Sequence, residues 1–236
     1  MSIKAPIILA VDTSDLDLAK SWIAHTSEHV SVFKLGLEFF LNFGQDGIRA
    51  VTENSDARIF LDLKLHDIPN TVAHAAESVA SLNPLFLTVH ASGGSQMINA
   101  AVQAAPRIHI TAVTVLTSMS ESDVKSVGFK DDALATATQM AQLALNSGAR
   151  AIVCSPLETA MIRKSVGTEA IIITPGVRPA SMAGKDDQTR TMTPSAAISA
   201  GADYVVIGRP ITSAWEPIGV EIGKRAREIS TEILNS

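Results

Sequence analysis

The chain has 236 residues, of which 46% are hydrophobic and only 4% aromatic, with a formal net charge of −5 and a pI near 5.7. This acidic balance argues against a nucleic-acid partner, which normally needs a basic face, and no apolar run approaches the roughly 18 residues of a membrane helix. The single cysteine, Cys154, excludes an intramolecular disulfide and fits a reducing compartment. Because the first residues lack the apolar core of a signal peptide, we expect a soluble, cytoplasmic protein that handles a small molecule.

Short apolar runs alternate with segments of helical periodicity along the chain. The predicted strands are residues 7–11, 31–36, a third run that begins at 59 and has ended by Pro69, then 85–90, 108–116, 151–154, 170–174 and 204–207. The predicted helices are residues 16–27, 38–53, 70–81, 95–105, 131–146, 157–166, one that begins at Thr193-Pro194, and 218–234. Gly44 and Gly47 predict an interruption of the second helix, and residues 120–130 are expected to form a polar connection.

The order of these elements predicts the fold. Strands that alternate with helices indicate a parallel sheet, and eight such units in about 230 residues are typical of a (β/α)8 TIM barrel. We expect one barrel domain over residues 1–236. A doubly wound open sheet is the competing α/β fold, but it usually carries a glycine-rich fingerprint after the first strand, and residues 12–15 do not form one.

Polar and charged side chains stand where the predicted strands end, which is where barrel enzymes carry their active sites. They are Asp12, Lys34, Asp62, Lys64, His90, Thr117, Arg178 and Arg209. Asp62 and Lys64 are two residues apart on one strand, so their side chains are expected on the same face. Burying a carboxylate and an ammonium group costs free energy, so such groups are usually paired with each other or serve a function. The alternative to a functional site is therefore a structural ion pair.

The loops after the seventh and eighth strands are the usual phosphate site of such barrels. Gly208 lets the backbone approach an anion closely, and Arg209 supplies a planar fork of donors. A turn with an exposed arginine is the alternative interpretation. Residues 180–193 are polar and almost free of large apolar side chains. This composition predicts a mobile lid, with Gln188 able to reach a ligand, or else a plain disordered loop.

Three further residues carry weaker signals. His90 is expected to be a hydrogen-bonded histidine at the rim, with an acid or base role as the alternative. Strand alternation predicts that His66 points away from the pocket. Cys154 lies in an apolar strand and is interpreted as a small core residue. No spacing of histidine, cysteine and carboxylate residues indicates a transition-metal site.

The pattern Asp62-x-Lys64-x-x-Asp67-Ile-Pro-x-Thr71 resembles the signature of the orotidine 5′-phosphate decarboxylase family. The resemblance covers nearly the whole chain and includes Val89-His-Ala-Ser-Gly-Gly94, Thr174-Pro-Gly-Val-Arg178 and Ile207-Gly-Arg-Pro-Ile211. Sugar-phosphate enzymes on the same barrel share the Asp-x-Lys-x-x-Asp core. The Ile-Pro-x-Thr and Gly-Val-Arg segments narrow the resemblance to the decarboxylase.

This resemblance implies the decarboxylation of orotidine 5′-monophosphate to uridine 5′-monophosphate in pyrimidine biosynthesis. It implies a homodimer with active sites at the subunit interface, and neither a metal nor an organic cofactor. Lys64 would donate the proton, with Asp62 as its partner near the substrate carboxylate. Asp67 and Thr71 would reach the site of the partner subunit.

The same resemblance implies a set of substrate contacts. Asp12 and Lys34 would hold the ribose hydroxyls, with Lys34 also beside the charged cluster. Either Thr117 or Ser118 would bind the pyrimidine, and Thr117 is preferred. The phosphate would be bound by Gln188, Gly208 and Arg209, with Arg178 beside them.

Two other functions stay open on the sequence. One is a metal-dependent barrel enzyme of sugar-phosphate metabolism, such as a keto-gulonate phosphate decarboxylase or a hexulose phosphate synthase. The other is a sensor that binds a nucleotide phosphate without turnover. An assay with orotidine 5′-monophosphate distinguishes all three.

Overall fold

The computed structural model describes residues 4–53, 55–179 and 192–236. Eight parallel strands close into a barrel in chain order, and β1 pairs with both β2 and β8. The strands are β1 Ala5–Ala10, β2 Val30–Gly36, β3 Ile59–Leu65, β4 Phe86–His90, β5 His109–Val113, β6 Ala151–Val153, β7 Ile171–Thr174 and β8 Tyr204–Ile207. The predicted (β/α)8 barrel is therefore confirmed, and the open sheet is wrong.

Helices surround the barrel and connect its strands. In the described ranges they are α1 Leu16–Thr26, α2 Leu37–Thr52, α3 Pro69–Ala80, α4 Gly94–Ala104, α5 Glu121–Ser126, α6 Ala133–Asn146, α7 Thr159–Val166, α8 Pro194–Ser199, α9 Arg209–Thr212 and α10 Val220–Leu234. Local chemistry starts several of them. Asp15 accepts hydrogen bonds from two backbone N–H groups of α1, and Thr193 caps α8 ahead of Pro194, as predicted.

The core has two parts because the strands are covered on both faces. Side chains inside the barrel form one buried cluster, which consists of Ile8, Ala10, Val32, Phe60, Phe86, Ala151, Ile173 and Val206. A larger cluster fills the space between the strands and the helices, with Leu9, Leu61 and Leu87 fully buried in it. The barrel interior is thus packed, and its C-terminal rim is left to hold polar groups.

Several local features differ from the sequence prediction. β5 ends at Val113, so residues 114–116 belong to the loop that leads to the rim. The polar connection contains the short helix α5, and the turn after β8 continues into α9. The predicted interruption of α2 is confirmed at Gly44, whose φ of 57° and ψ of −153° are not helical, whereas Gly47 is buried within the helix. None of the helices in the described ranges combines the length and the apolar character that a membrane crossing needs.

Candidate active site

Four charged side chains of alternating sign form a chain across three neighbouring strands at the C-terminal rim. The Nζ of Lys34 lies 2.9 Å from Oδ1 of Asp12 and 3.6 Å from Oδ2 of Asp62. The Nζ of Lys64 lies 2.8 Å from Oδ1 of Asp62. Asp62 and Lys34 are largely buried, with side chains 14% and 12% exposed, whereas Lys64 is 30% and Asp12 57% exposed. The ion chain therefore runs from the surface at Asp12 to a sheltered carboxylate.

Lys64 occupies this position through an irregular backbone and not through simple strand alternation. Its φ is +50°, a left-handed conformation that is uncommon outside glycine. The pairing of β3 with β4 changes register here, because Leu61 pairs with Leu87 while Leu65 pairs with Val89. The prediction that Asp62 and Lys64 lie together is correct, but the regular alternation on which it rested does not hold at Lys64.

Opposing effects act on the pKa of Asp62. Burial raises the pKa, whereas the ammonium groups of Lys34 and Lys64 lower it, as do hydrogen bonds from Lys64 and Thr88. The favourable interactions outweigh burial, so the pKa stays below its ordinary value of 3.8. Asp62 is therefore a carboxylate at neutral pH, and the rim carries a fixed anion between two cations.

A cavity of about 180 Å³ opens beside the ion chain. Its lining includes Lys34, Asp62 and Lys64, together with Thr117 from the loop after β5, and does not include Ser118. The remaining lining is mostly apolar, from Phe60, Val113, Val115, Leu116, Val153, Cys154, Pro175 and Val206. The site thus combines a charged wall with a hydrophobic wall that suits a flat ring.

Cys154 is both a core residue, as predicted, and part of the cavity wall. Its side chain is fully buried. Burial raises the pKa of the thiol to about 12, and the nearby Glu158 carboxylate acts in the same direction. The group therefore stays protonated at neutral pH and does not act as a nucleophile.

The residues expected to bind phosphate follow β7 and β8. Arg178 is buried and donates from Nη1 to the carbonyl of Val177. Gly208 lies against β1, where a Cβ would come within 3.3 Å of the Cβ of Ala10, and Arg209 begins α9. Neither Arg178 nor Arg209 lines the cavity beside the ion chain. Gln188 and residues 180–191 of the predicted lid, which spans residues 180–193, lie outside the described residues.

Asp67 and Thr71 do not join this cavity. Both are exposed, and the Asp67 carboxylate accepts a hydrogen bond from the backbone N–H of Ile68 at 2.7 Å. Thr71 lies in the first turn of α3. Neither residue contributes to the lining that contains Lys64.

His66 and His90 lie next to each other, outside the lining of the cavity. His66 is not part of the cavity lining, as predicted, and its ring centroid lies 5.4 Å from that of His90. His90 ends β4 at the rim and its ring packs on that of His66, while its expected hydrogen bond stays a prediction. Burial lowers the pKa of His90, and the nearby His66 and Lys64 act in the same direction. No group of three histidine, cysteine or carboxylate side chains within the described ranges is arranged to hold a metal ion.

Two residues of the site were missed from the sequence. Thr88 lies within β4 and bonds to both Asp62 and Lys64. Its only sequence signal was a hydroxyl in an otherwise apolar strand. Gly36 ends β2, where a Cβ would lie 3.3 Å from Nζ of Lys34 and 3.5 Å from Oδ1 of Asp12. A glycine at the end of a strand is common, so its closeness to the ion chain is visible only in the structure.

Comparisons with known proteins extend over nearly the whole chain. A family model described as the orotidine 5′-phosphate decarboxylase / HUMPS family matches residues 5–220. A protein from Thermobifida fusca (strain YX) named orotidine 5′-phosphate decarboxylase is 53% identical over 213 residues, which cover 90% of this chain and 91% of the relative. A protein of the same name from a Wolbachia strain of Culex pipiens is 45% identical over 214 residues, with 90% and 93% covered.

Solved structures match the whole barrel. The crystal structure of orotidine 5′-phosphate decarboxylase from Lactobacillus acidophilus aligns with a TM-score of 0.82 and 32% identity, and covers 98% of this chain and 99% of that one. An uncharacterized conserved protein from Geobacillus kaustophilus aligns with a TM-score of 0.81 and 28% identity, covering 97% and 100%. Similarity in sequence and in structure therefore points to the same family.

Proposed function

The chain belongs to the orotidine 5′-phosphate decarboxylase / HUMPS family, and we propose that it converts orotidine 5′-monophosphate to uridine 5′-monophosphate and CO2 without a cofactor. The relatives quoted above, at up to 53% identity, carry the name of this decarboxylase. The observation that carries the proposal is the ion chain from Asp12 to Lys64 beside a cavity with an apolar wall. We further propose that the chain acts as one barrel domain and that it works in the cytoplasm.

Lys64 is the proposed catalytic acid. Loss of CO2 from C6 of the pyrimidine leaves an electron pair in an sp2 orbital that the ring π system cannot absorb. An ammonium fixed next to that carbon stabilises the developing carbanion and then protonates it, which replaces the C6–carboxylate bond with a C6–H bond. Asp62 holds the Lys64 ammonium in place, with 2.8 Å between Nζ and Oδ1.

Asp62 has a second proposed effect, on the substrate carboxylate that departs. Two carboxylates at about 4 Å and an effective dielectric near 20 repel by roughly 4 kcal/mol. Relief of that repulsion accelerates the reaction by at most about three powers of ten. Stabilisation of the carbanion by Lys64 and binding energy from the phosphate must therefore contribute the rest of the acceleration.

The family resemblance supports substrate contacts for the remaining residues of the rim. Asp12 and Lys34, paired at the ends of β1 and β2, are proposed to bind the ribose hydroxyls. Thr117, which lines the cavity where Ser118 does not, is proposed to bind the pyrimidine. We propose that the phosphate binds after β7 and β8, to Gly208, Arg209 and Gln188 with Arg178 beside them.

A homodimer with shared sites is the proposed assembly. Asp67 and Thr71 are both exposed, and neither lines the cavity of its own subunit. Large apolar side chains are also exposed just after strand ends at the same rim, with Leu37 at 48% and Ile68 at 66%. Apolar surface next to the site suits an interface that completes it.

The decisive experiment is a decarboxylation assay on the purified protein. We expect the wild-type chain to consume orotidine 5′-monophosphate, and Lys64→Ala to lower kcat by at least about a thousandfold, because the acid is lost. Lys20→Ala is the matched control, since Lys20 lies on the outer helix α1 and pairs only with Asp17 at 4.0 Å within the described residues. Near-normal turnover by Lys64→Ala would contradict the proposal.

The same assay separates the alternatives. Activity that survives exhaustive chelation excludes a metal-dependent reaction on this substrate. A sensor would bind uridine 5′-monophosphate but release no CO2. Loss of all turnover on chelation, with recovery on addition of a divalent metal, would contradict the cofactor-free mechanism.

A further inference from the structure

Thr88 makes two hydrogen bonds, one to the Asp62 carboxylate and one to the backbone of Lys64. Its hydroxyl donates to Oδ1 of Asp62 at 3.2 Å and accepts from the backbone N–H of Lys64 at 2.7 Å. The residue is fully buried on β4. One hydroxyl thus bonds simultaneously to the side chain of one active-site residue and to the main chain of the other.

The irregular pairing of β3 explains why a side chain is needed at this point. Between the pairs Leu61–Leu87 and Leu65–Val89, residues 62–64 of β3 lie opposite the single residue Thr88 of β4. A backbone N–H that leaves the regular ladder and stays sheltered needs another acceptor. The Thr88 hydroxyl is that acceptor for Lys64.

This contact also stabilises an uncommon conformation. Lys64 has a φ of +50°, which a side-chain-bearing residue keeps only when its surroundings hold it. The left-handed turn places Nζ of Lys64 2.8 Å from Oδ1 of Asp62, and Thr88 bonds to that same oxygen. The hydroxyl therefore fixes the turn and the carboxylate relative to each other.

We propose that Thr88 is a positioning residue that holds the Asp62 carboxylate and the Lys64 turn in the geometry that proton donation requires. This inference rests on the proposed decarboxylation. Thr88 itself does not line the cavity, so it acts through its two partners. Misplacing a catalytic group by about 1 Å costs roughly a hundredfold in rate.

A pair of variants that differ by one oxygen atom tests the hydroxyl. Thr88→Ser keeps it and Thr88→Ala removes it, and both lose the methyl group. We expect kcat of Thr88→Ala to fall at least about tenfold below that of Thr88→Ser, since a hydrogen bond to a charged group and one to a strained backbone are both lost. KM should change by less than about threefold, because the phosphate and ribose contacts are elsewhere.

Thr111→Val is the matched control. Thr111 is equally buried and stands opposite Thr88 on β5, but its hydroxyl donates to the carbonyl of His109 and not to the ion chain. We expect this variant to lose stability to urea while its kcat stays within about twofold of wild type. A purely structural role for Thr88 would give the same pattern in Thr88→Ala.

The dependence of activity on pH at the acid end distinguishes a positioning role from a purely structural one, because a structural role would leave it unchanged. Asp62 is faced by Lys34 from β2, Lys64 from β3 and His90 from β4, and these groups remain in Thr88→Ala. Loss of one donor raises the pKa of Asp62, so activity should fall at a higher pH than in Thr88→Ser.

The outcomes separate this inference from the proposed function. A wild-type chain that does not release CO2 would overturn both. The positioning role alone would be overturned if the wild type is active but Thr88→Ala and Thr88→Ser have the same kcat and lose activity at the same acid pH.

Discussion

Among single residues, Lys34 connects the ion chain of the site. Lys34 contacts two carboxylates, Asp12 at 2.9 Å and Asp62 at 3.6 Å. Gly36 lies close enough that a side chain would touch the ion pair, although its φ of −92° and ψ of −170° are open to any residue. The residue is therefore a glycine for space and not for backbone freedom.

Gly36→Ala is expected to raise KM for orotidine 5′-monophosphate by about threefold, because the added methyl group, 3.3 Å from Nζ of Lys34, shifts that ammonium by a few tenths of an ångström against Asp12. Its stability should change little. Gly44→Ala is the opposite control: its φ is +57° with nothing within 4 Å of the added atom, so it should lose stability and keep its KM. Steady-state kinetics and urea unfolding of both variants check this, and an unchanged KM in Gly36→Ala would contradict it.

The depressed pKa of Asp62 predicts how stability depends on pH. Its folded pKa lies below the ordinary 3.8, so the carboxylate contributes stability that is fully present above that value and is lost as pH falls through the folded pKa. Asp62→Asn should therefore be less stable than wild type at neutral pH, by about 1–3 kcal/mol. The difference should narrow below pH 3.8.

Urea unfolding at neutral and acid pH measures this effect. Asp46→Asn serves as the control, since Asp46 pairs with Arg49 on the surface with a side chain that is 96% exposed. That substitution should change stability little at either pH, because surface pairs contribute about 0–1 kcal/mol. A constant difference between Asp62→Asn and wild type across the acid range would be inconsistent with the ion chain.

At the scale of elements, most helices and strands form where local patterns predict them. β8 coincides with the predicted residues 204–207, and Gly44 interrupts α2 as expected. Helix α5 was missed, although Ser120 and Asp123 form a capping box whose spacing is readable from the sequence. The helix was not recognised because its residues are mostly polar and only Val124 is buried.

Ser120→Ala tests whether this short helix depends on its cap. The Ser120 hydroxyl accepts a hydrogen bond from the backbone N–H of Asp123 at 3.2 Å. Its loss should lower the melting temperature by about 2–4 °C. Ser126→Ala, which removes a bond to the carbonyl of Asp123 at the end of the same helix, should have a smaller effect. Equal melting temperatures for Ser120→Ala and wild type would show that the cap is dispensable.

At the scale of the whole molecule, closure of the barrel brings together residues that are far apart in the chain. Asp12 follows β1 and Thr117 follows β5, yet both lie at one rim around the same ion chain and cavity. Asp67 is separated from this cavity despite being three residues from Lys64. That separation supports the shared site that the family resemblance implies.

Mixing two inactive variants tests the shared site. If Asp67 acts in the partner's site, a mixed dimer of Lys64→Ala and Asp67→Ala contains one site with every native group. Equal mixing and subunit exchange should then restore about a quarter of wild-type activity, since half of the dimers are mixed and each has one complete site. A mixture as inactive as its parents, or an active monomer, would contradict the shared-site proposal.

The sequence by itself determined the barrel and most of its rim. Alternating strands and helices can bury their apolar faces only in a few arrangements, and eight units of this kind close on themselves. The spacing of Asp62 and Lys64 likewise predicted a charged pair, which the structure confirms at 2.8 Å. The roles of individual residues in binding and catalysis remain proposals.

Only the tertiary structure decided how that pair is held. The left-handed turn at Lys64, the register change against β4 and the Thr88 hydroxyl depend on contacts between strands, which no local pattern encodes. The same is true of Gly36, whose missing side chain matters because Lys34 and Asp12 meet above it. Periodicity is a property of neighbours in the chain, whereas the geometry of this site is set by neighbours in space.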